Sequence, residues 1–407
     1  MKKWLIILSV IFSIGFISSA VLAGRVYYQD LKNYTDYDKQ ELQTEALKNI
    51  YIKSSVPVEI YPTIGVPYVE FNQTFTDLVG VAPEYELDVQ SKGENTYIEL
   101  NETKELFLWL GVKEDKAQLS VYLPQATINR LNIQDNDYFS YRHNKQVINL
   151  EGINVNELSV DMMNEAEFIL NGNYERIKIS APYGKINLKS NTRTQVFTDG
   201  SLVQNLSGEF DKITIRNNSQ DIIIDSTSAS NVEINNDNSN IDLKGSYSKV
   251  KIEGGYNNID IRSESVCHLF TEGYDNYITG NGAFDVINLE EQSSEVEIQT
   301  TVIPTKVSLG QEAYNNTVSL TLPSNILGFT VKYLGDYYIE DEEFDYYGTY
   351  ENNNIDLQSD FTLESGKSDE GEQIFIYGDG TLPILISGEL QNSLEIIDGG
   401  YSSNTAQ

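Results

Sequence analysis

Hydrophobic residues alternate with other residues in short runs from residue 49 onward. Ile50 and Ile52 enclose one residue, and the same doublet pattern runs through Leu119-Ser-Val-Tyr-Leu-Pro124. Successive side chains of a strand point to opposite sides, so each doublet predicts a short strand that is buried on one side. The stretch Ser91-Lys-Gly-Glu-Asn95 has the composition of a turn between strands. We therefore expect residues 49–133 to form strands that cover the first part of a larger array.

Doublets of this kind return at nearly constant spacing between residues 148 and 320. They begin at Ile148, Leu158, Phe168, Ile177, Ile186, Ile213, Ile222, Val232, Ile241, Val250 and Ile259. The steps are 9 or 10 residues, and the 27 residues from Ile186 to Ile213 equal three steps of nine. The register then weakens through Cys267, Tyr277, Ile287 and Val296 and loosens to steps of 11 residues at Val307 and Val318. A fixed period predicts a stacked repeat.

Asparagine, aspartate, serine and glycine fill the spaces between the doublets, as in Asn235-Asn-Asp-Asn238 and Gly254-Gly255. These residues tolerate left-handed backbone conformations and bond their own main chain, so each group predicts a turn. A β-sandwich also has short strands, but its loops vary in length, whereas stacked coils need a constant advance. We therefore predict an all-β fold with a single-stranded β-solenoid at residues 134–323. Two nine-residue units per coil would give about nine coils and a rod of roughly 40 Å.

The N-terminus places two lysines before an uncharged, mostly apolar run from Trp4 to Gly24. This run is long enough to cross a membrane as a helix, and the lysines place its start in the cytoplasm. We therefore predict a single-pass signal anchor at residues 1–24, with the bulk of the chain extracellular. Cleavage after Val21-Leu-Ala23, which would give a secreted protein, is the alternative. The polar segment 25–48 has helix formers near its end and is predicted to be a partly helical stalk.

The charge balance is strongly acidic, with 28 lysines and arginines against 61 aspartates and glutamates and a formal net charge of −33. Such a chain would repel phosphates, which excludes a basic nucleic-acid interface. The single cysteine, Cys267, excludes an intramolecular disulfide, and two histidines are too few for a structural zinc site of the Cys/His type. We expect no cofactor, and any metal site would use oxygen ligands.

The composition changes after residue 323. The segment 336–350 is acidic and rich in tyrosine, which fits either a solvated loop or a surface that binds protein or cations, since clustered tyrosines offer rigid contact area. Strand patterns return between Ile374 and Ile396. We therefore predict a C-terminal region at 324–398 that covers the last coil, followed by a disordered tail at 399–407.

Taken together, these phrases resemble the putative-adhesin domain family of bacterial membrane-associated and envelope-stress proteins, found especially in Gram-positive bacteria. The similarity is carried by the opening strands at Ile50 and Val56, by Leu119-Ser-Val-Tyr-Leu-Pro124, and by Tyr377-Gly-Asp-Gly380 before Ile384-Leu-Ile386. The last two phrases are similar to the closing hairpin of that family, and the resemblance spans residues 49–398. It implies a right-handed β-solenoid displayed at the cell envelope, without known catalytic residues.

An enzyme is the main alternative, because β-solenoids include enzymes that cleave polysaccharides with paired carboxylates. The aspartates that recur with the repeat are Asp221, Asp225, Asp242 and Asp260. Their recurrence favours turn or surface positions over one catalytic pair. The neighbours Cys267 and His268 are expected on opposite faces of a strand, with Cys267 inward, so they cannot form a nucleophile and base pair.

Calcium coils are a second alternative. Gly254-Gly-Tyr-Asn-Asn-Ile-Asp260 and Gly280-Asn-Gly-Ala-Phe-Asp285 approach the calcium-binding nine-residue pattern, but neither has its spacing. Weak, nonspecific binding of divalent cations to the acidic surface is expected instead. No residue is therefore predicted to be catalytic, to bind a cofactor or to ligate a metal.

The function expected from these observations is binding. We predict a non-enzymatic, membrane-anchored, adhesin-like protein that binds or senses a partner at the bacterial cell envelope, with an extracellular polysaccharide-processing enzyme as the alternative. The net charge would repel anionic wall polymers unless cations bridge them, which favours an envelope protein or a cationic peptide as partner. The sequence leaves open the oligomeric state and the choice between adhesion and stress sensing.

Overall fold

The fold is all-β throughout the part of the chain that the computed structural model describes. That part comprises residues 33–76, 84–104, 114–135, 146–217, 219–310, 315–333, 356–367, 373–386 and 392–399. Its one helical element is a single 3-10 turn at Thr44–Ala46. Within the same residues, no helix has the length and apolar character needed to span a membrane. The predicted anchor at 1–24 and the acidic tyrosine-rich segment at 336–350 lie outside the described residues.

The strands belong to two compact units, residues 1–169 and 170–407. The first eleven are β1 (Asn33–Glu41), β2 (Asn49–Ser54), β3 (Val58–Thr63), β4 (Tyr68–Thr76), β5 (Glu84–Lys92), β6 (Asn95–Lys104), β7 (Glu114–Pro124), β8 (Thr127–Asp135), β9 (Gln146–Asn149), β10 (Asn154–Asp161) and β11 (Ala166–Gly172). The next eight are β12 (Tyr174–Arg216), β13 (Asp221–Asn235), β14 (Asn240–Glu253), β15 (Asn258–Tyr274), β16 (Tyr277–Gln292), β17 (Glu295–Thr300), β18 (Lys306–Leu309) and β19 (Thr317–Leu322). The last six are β20 (Gly328–Tyr333), β21 (Asp356–Ser359), β22 (Glu364–Lys367), β23 (Gln373–Gly378), β24 (Leu382–Ile386) and β25 (Ser393–Asp398).

The first unit stacks its strands in an order that differs from the chain order. One parallel column runs β6, β2, β8, β10, and a second runs β7, β3, β9, β11. The rung β2–β3 therefore lies between β6–β7 and β8–β9. Antiparallel strands cover the outer side, because β5 pairs with β6, β4 pairs with β7, and β1 pairs with β4. Main-chain groups that the rung β6–β7 would otherwise leave open are thereby bonded.

The prediction of a partly helical stalk at 25–48 is wrong for its described part. Residues 33–41 form strand β1, which pairs with β4 along its whole length. Main-chain bonds hold this polar strand, and its side chains add contacts: the Tyr37 hydroxyl donates to Glu70 Oε2 at 3.2 Å. The apolar helix formers that follow pack into the first unit instead of a stalk helix, since Leu42 and Leu47 are buried.

Strands β12 to β16 of the second unit stack as parallel rungs, in register on either side of a corner at which the register shifts. One column of inward residues contains Ile222, Ile241, Ile259, Ile278 and Val296. The other contains Ile213, Val232, Val250, Leu269, Ile287 and Val307. Successive doublets along the sequence therefore alternate between the two columns, which confirms that two nine-residue units make one rung here. Parallel neighbours distinguish this solenoid-like stacking from an antiparallel meander.

A corner between the two columns alternates between two designs on successive rungs. The residues at this corner, in rung order, are Ser190, Gly208, Ser226, Gly245, Ser263, Gly282 and Thr300. On a serine rung the hydroxyl folds back on its own chain, as Ser226 Oγ does to the Ser228 carbonyl at 2.8 Å. On a glycine rung the backbone turns at positive φ, 109° at Gly245. The glycine corner is one residue shorter, which explains why the sequence steps are sometimes 9 and sometimes 10.

Each glycine rung carries a large aromatic side chain two residues after the glycine. Phe210, Tyr247 and Phe284 occupy this position, and all three are fully buried. The serine rungs between them place small residues beside these rings, such as Ser230 and Cys267. The true repeat is therefore a pair of rungs, 37 residues from Gly208 to Gly245 and again to Gly282. Large and small side chains therefore alternate from rung to rung at this inward position, as close packing requires.

A buried polar ladder lines the turn on the opposite side of the second unit. Its members are Ser239, Asn257, Asn276, Ser294, Asn316 and Asn392. From Asn257 onward, each side-chain oxygen accepts the backbone N–H of the member before it, for example Asn257 Oδ1 from the Ser239 N–H at 3.0 Å and Asn276 Oδ1 from the Asn257 N–H at 2.9 Å. The ladder satisfies main-chain donors that the turn takes out of water.

The C-terminal strands also insert a rung out of chain order. Strand β24 lies between β18 and β20, and β25 lies between β19 and β21. Antiparallel β23 and β22 continue outward from β20. The expected closing hairpin is therefore wrong in its pairing: Tyr377 and Ile384 belong to β23 and β24, but β20 separates these two strands. Three residues, 379–381, connect β23 to β24 past the end of β20.

Candidate binding faces

Beside the inward column that begins at Ile222, the outward side chains of β13–β15 form a surface that we call the aspartate face. It is made of Asp221, Asp225, Asp242, Asp260, Lys244 and Arg262. Asp242 and Asp260 are register neighbours, and so are Lys244 and Arg262. Lys244 Nζ lies 2.6 Å from Asp242 Oδ2, and Arg262 forms the equivalent ion pair with Asp260. The remaining two aspartates are spread over the same surface: Asp221 accepts from Asn240 Nδ2 at 2.9 Å, and Asp225 is register-paired with Lys244. The structure thus distributes the recurring aspartates over three rungs.

Beside the inward column that begins at Ile213, outward side chains form a second surface that we call the lysine face. It is made of Lys212, Lys249, Lys251, His268, Glu233 and Phe270. Lys212 Nζ lies 3.0 Å from Glu233 Oε2, and this hydrogen bond lowers the pKa of the Glu233 carboxyl. Lys249 Nζ lies 4.9 Å from the centroid of the Phe270 ring. Lys212 is therefore paired with a charge one rung away, whereas the ion pairs of the aspartate face lie within one strand. Exposed pairs of this kind add little stability and leave the charges available to a partner.

The neighbours Cys267 and His268 lie on opposite sides of β15, as the sequence indicated. Cys267 is fully buried, and burial raises the pKa of its thiol to about 12. His268 points outward, with Nε2 3.6 Å from Asp285 Oδ2. A buried thiol with a raised pKa is a poor nucleophile, because the thiolate is the reactive form.

The aspartates of the two glycine-rich phrases considered for calcium lie beside basic side chains of this protein. Asp260 pairs with Arg262, and Asp285 lies beside His268. Within the residues that the structure describes, no group of three or more histidine, cysteine, aspartate or glutamate side chains could hold a metal ion.

The first unit carries a row of three tyrosines across neighbouring strands. Tyr61, Tyr122 and Tyr68 are register partners on β3, β7 and β4. The ring centroids of Tyr68 and Tyr122 are 4.3 Å apart and stacked, and those of Tyr61 and Tyr122 are 5.6 Å apart. Lys39 Nζ closes one end, 3.7 Å from the Tyr68 centroid. The distance between neighbouring strands is short enough for aromatic rings on register partners to stack.

Carboxylates bind the hydroxyl groups of this tyrosine row. Tyr122 donates to Glu70 Oε1 at 3.2 Å, and Tyr61 donates to Glu59 Oε2 at 2.6 Å. Burial, followed by the bond to Glu59, raises the pKa of Tyr61 to about 12. A second row stacks Tyr51 on Tyr97 with ring centroids 5.1 Å apart. Ring stacking holds both rows of tyrosines on the outward surface of the first unit.

The sequence analysis did not identify the tyrosine rows. Their signal is present, because Tyr51, Tyr61, Tyr97 and Tyr122 each occupy the outward place beside or between two inward residues. What the sequence could not provide was the strand order of the first unit, which brings residues from β3, β4 and β7 side by side.

No family model and no curated protein matches the chain. Among solved structures, the chain is similar to a putative cell adhesion protein from Clostridium sporogenes ATCC 15579, with 9% sequence identity and a TM-score of 0.23. The similarity covers 90% of this chain and 100% of that chain. A TM-score of this size carries no argument about fold or function.

Proposed function

We propose that this protein is a non-enzymatic, adhesin-like binding protein of the bacterial cell envelope. The observation that carries the proposal is the in-register parallel stacking of β12–β16, which repeats outward side chains one rung apart on two faces. Surfaces with repeated spacing suit recognition of an extended or repetitive partner. We also propose that the coils are those of a right-handed, single-stranded β-solenoid.

The chemistry of the two faces supports binding over catalysis. The outward acids Asp242 and Asp260 are ion-paired within their own strands, and Cys267 is buried. A glycosidase requires two carboxyl groups with different protonation states placed on either side of the sugar. A charged surface whose ions are paired only weakly can exchange those partners for a ligand's groups.

The proposal includes the location. The apolar run of residues 1–24 would anchor the chain in the cell membrane and leave the remainder extracellular, or secreted if the run is cleaved. Membrane fractionation of cells, combined with a mass measurement of the N-terminus, tests this part. Recovery of an intact N-terminus in the membrane fraction is the expected result, and recovery in the cytoplasm would contradict it.

Binding is tested with the purified full-length chain and fractionated envelope components at low and high salt. The net charge of −33 predicts binding to protein or cationic peptide that weakens as salt rises. Absence of binding to every envelope fraction at low salt would contradict the proposal. Degradation of surface glycans that disappears in an Asp242→Asn or Asp260→Asn variant would support the enzyme alternative instead.

A further inference from the structure

Two exposed tyrosines form a patch at the turn of the second unit. Tyr256 and Tyr274 are 58% and 41% exposed, and their ring centroids are 5.1 Å apart at an interplanar angle of 86°. Edge-to-face contact leaves the face of one ring open to solvent. Neither ring belongs to the aspartate face or the lysine face, and the function proposed above assigns them no role.

The turn holds these rings in place before any ligand arrives. Tyr256 has a positive φ of 59° and is followed by Asn257, a member of the buried polar ladder. The Tyr274 ring lies across the backbone of Gly255, where a Cβ would overlap three ring carbons. Two aromatic side chains fixed in this way lose little conformational entropy when a partner binds.

Carboxylates border the patch. Asp237 Oδ1 accepts the Gly255 N–H at 2.6 Å, so this aspartate is fixed one rung from the tyrosine pair. Asp237 and the Tyr274 ring both contact Gly255, so the two groups lie close together, and the charge of Asp237 is the leading cause of a raised pKa at the Tyr274 hydroxyl. Asp275 is exposed and directly follows Tyr274. The local charge is therefore negative beside an open aromatic face, and the two features together favour a cation.

The protein shows the same chemistry with its own cations elsewhere. Among the described residues, four lysine or arginine side chains lie over aromatic rings: Lys39 over Tyr68, Lys92 over Tyr97, Arg216 over Phe197 and Lys249 over Phe270. None of these four contacts involves Tyr256 or Tyr274. Tyr256 and Tyr274 therefore expose to solvent the kind of aromatic face over which the chain places its own lysine and arginine side chains at other rings.

We propose that Tyr256, Tyr274, Asp237 and Asp275 bind an arginine or lysine side chain from a cationic peptide segment of a partner protein. The cation lies over the open tyrosine face and its N–H groups reach the carboxylates, which suits the planar guanidinium of arginine best. This inference rests on the proposed binding function and names the partner chemistry of one site within it.

Titration of the full-length protein with a hexa-arginine peptide tests the inference, with a hexa-citrulline peptide as the neutral control of the same shape. Binding of the arginine peptide alone is expected. Replacing both tyrosines, Tyr256→Leu with Tyr274→Leu, keeps apolar bulk but removes the rings, and we expect the Kd to rise about tenfold. Tyr183→Leu, at another exposed tyrosine, is the matched control and should leave the Kd unchanged.

The carboxylate is tested with Asp237→Asn, because the amide oxygen can still accept the Gly255 N–H while the charge is lost. We expect a Kd increase of about threefold or more, against none for Asp225→Asn on the aspartate face. Equal weakening by Asp237→Asn and Asp225→Asn, an unchanged Kd in the double tyrosine variant, or equal binding of the citrulline peptide would overturn the inference. Binding to envelope fractions that survives in the tyrosine variant would overturn this site and leave the proposed function standing. Circular dichroism of each variant verifies that it is folded.

Discussion

Gly245 is one of three glycines whose backbone turns at positive φ on alternate rungs. A Cβ at this position would overlap the carbonyl oxygen of Ser226 on the preceding rung, and that oxygen cannot move without breaking the stack. The requirement at this corner is therefore double: a left-handed φ and the absence of a side chain.

We predict that Gly245→Ala lowers the free energy of unfolding by about 3 kcal/mol or more. Gly93→Ala is the matched control, since Gly93 has a φ of 62° but nothing within 4 Å of a Cβ. Its cost should be about 1 kcal/mol, from backbone strain alone. Urea denaturation of both variants measures the difference, and equal costs would show that the close approach at the corner is unimportant.

Glu291 is a buried acid within the second unit. Its Oε2 accepts from Asn276 Nδ2 at 2.9 Å and from Ser294 Oγ at 3.0 Å, whereas Oε1 is buried without a hydrogen bond. Burial raises the pKa of this carboxyl, against hydrogen bonds, first from Asn276, that lower it. Its register partner on the neighbouring rung is Gly273, which has no side chain to compete for the space.

The raised pKa of Glu291 predicts a pH dependence with a definite sign. Below about pH 4 the Glu291 carboxyl is protonated in both the folded and the unfolded form, and it does not lower the free energy of unfolding. As the pH rises toward the folded pKa, the free energy of unfolding falls, because only the unfolded form has ionised. Glu291→Gln should therefore raise the Tm more at pH 7.5 than at pH 4. Glu264→Gln, at an exposed acid, serves as the control. A lower Tm for Glu291→Gln at pH 7.5 would contradict the prediction.

Single residues also explain where the sequence analysis lost the register. The doublet expected at Tyr277 is at Ile278 in the structure, and Tyr277 is exposed. The inward partners near it are Thr271 and Gly280, which are not apolar side chains and hide the alternation. A pattern based on hydrophobicity cannot detect an inward position that a neighbouring rung fills, as the Ile298 side chain does beside Gly280.

At the scale of elements, the polar ladder holds the turns of successive rungs together. Asn257 uses both ends of its amide: Oδ1 accepts the Ser239 N–H, and Nδ2 donates to the Asn236 carbonyl at 2.9 Å. Its exposed neighbour Asn258 begins the strand on the outside. The two adjacent asparagines are therefore the same residue type in different environments, one buried and one exposed.

We predict that Asn257→Ala destabilises the protein by about 2–4 kcal/mol, because it leaves one donor and one acceptor buried without partners. Asn258→Ala should change the stability by less than about 0.5 kcal/mol. Chemical denaturation measures both variants. Similar effects at the two positions would mean that the ladder contributes no more than an exposed turn residue.

Between the doublets at Ile186 and Ile213, residues 196–206 show no clear doublet in the sequence, and the reason is similar. Its inward positions include polar residues that bond one another: Thr198 Oγ1 donates to Gln204 Oε1 at 2.9 Å, and Gln204 Nε2 donates to Ser219 Oγ at 2.8 Å. The strand β12 continues through the interval without a break. The nine-residue step therefore locates the rungs in this interval, although the hydrophobic pattern does not.

At the scale of the whole molecule, the repeat of the second unit is a pair of rungs. Deleting residues 222–258 removes 37 residues and joins the Gly208 corner to the Ser263 corner, which preserves the alternation. Deleting residues 222–240 removes 19 residues and sets Gly208 beside Gly245, with the rings of Phe210 and Tyr247 on adjacent rungs.

We predict that the 37-residue deletion folds cooperatively with a Tm near that of the full chain, whereas the 19-residue deletion is strongly destabilised because two large rings compete for one space. Thermal denaturation by circular dichroism measures both. A lower Tm for the longer deletion than for the shorter one would refute the two-rung repeat. The sequence analysis found the nine-residue step but not this longer period, because the corner residues carry no hydrophobic signal of their own.

The insertion of β24–β25 between β18–β19 and β20–β21 has a consequence for biosynthesis. Strands β20 and β21 are made by the ribosome before residues 382–398, yet each finds its parallel neighbour only in those later residues. Until they emerge, the edges of β18 and β19 stay open and can capture a strand from another nascent chain. The timing of synthesis, rather than stability, would then set the demand of this protein for chaperones.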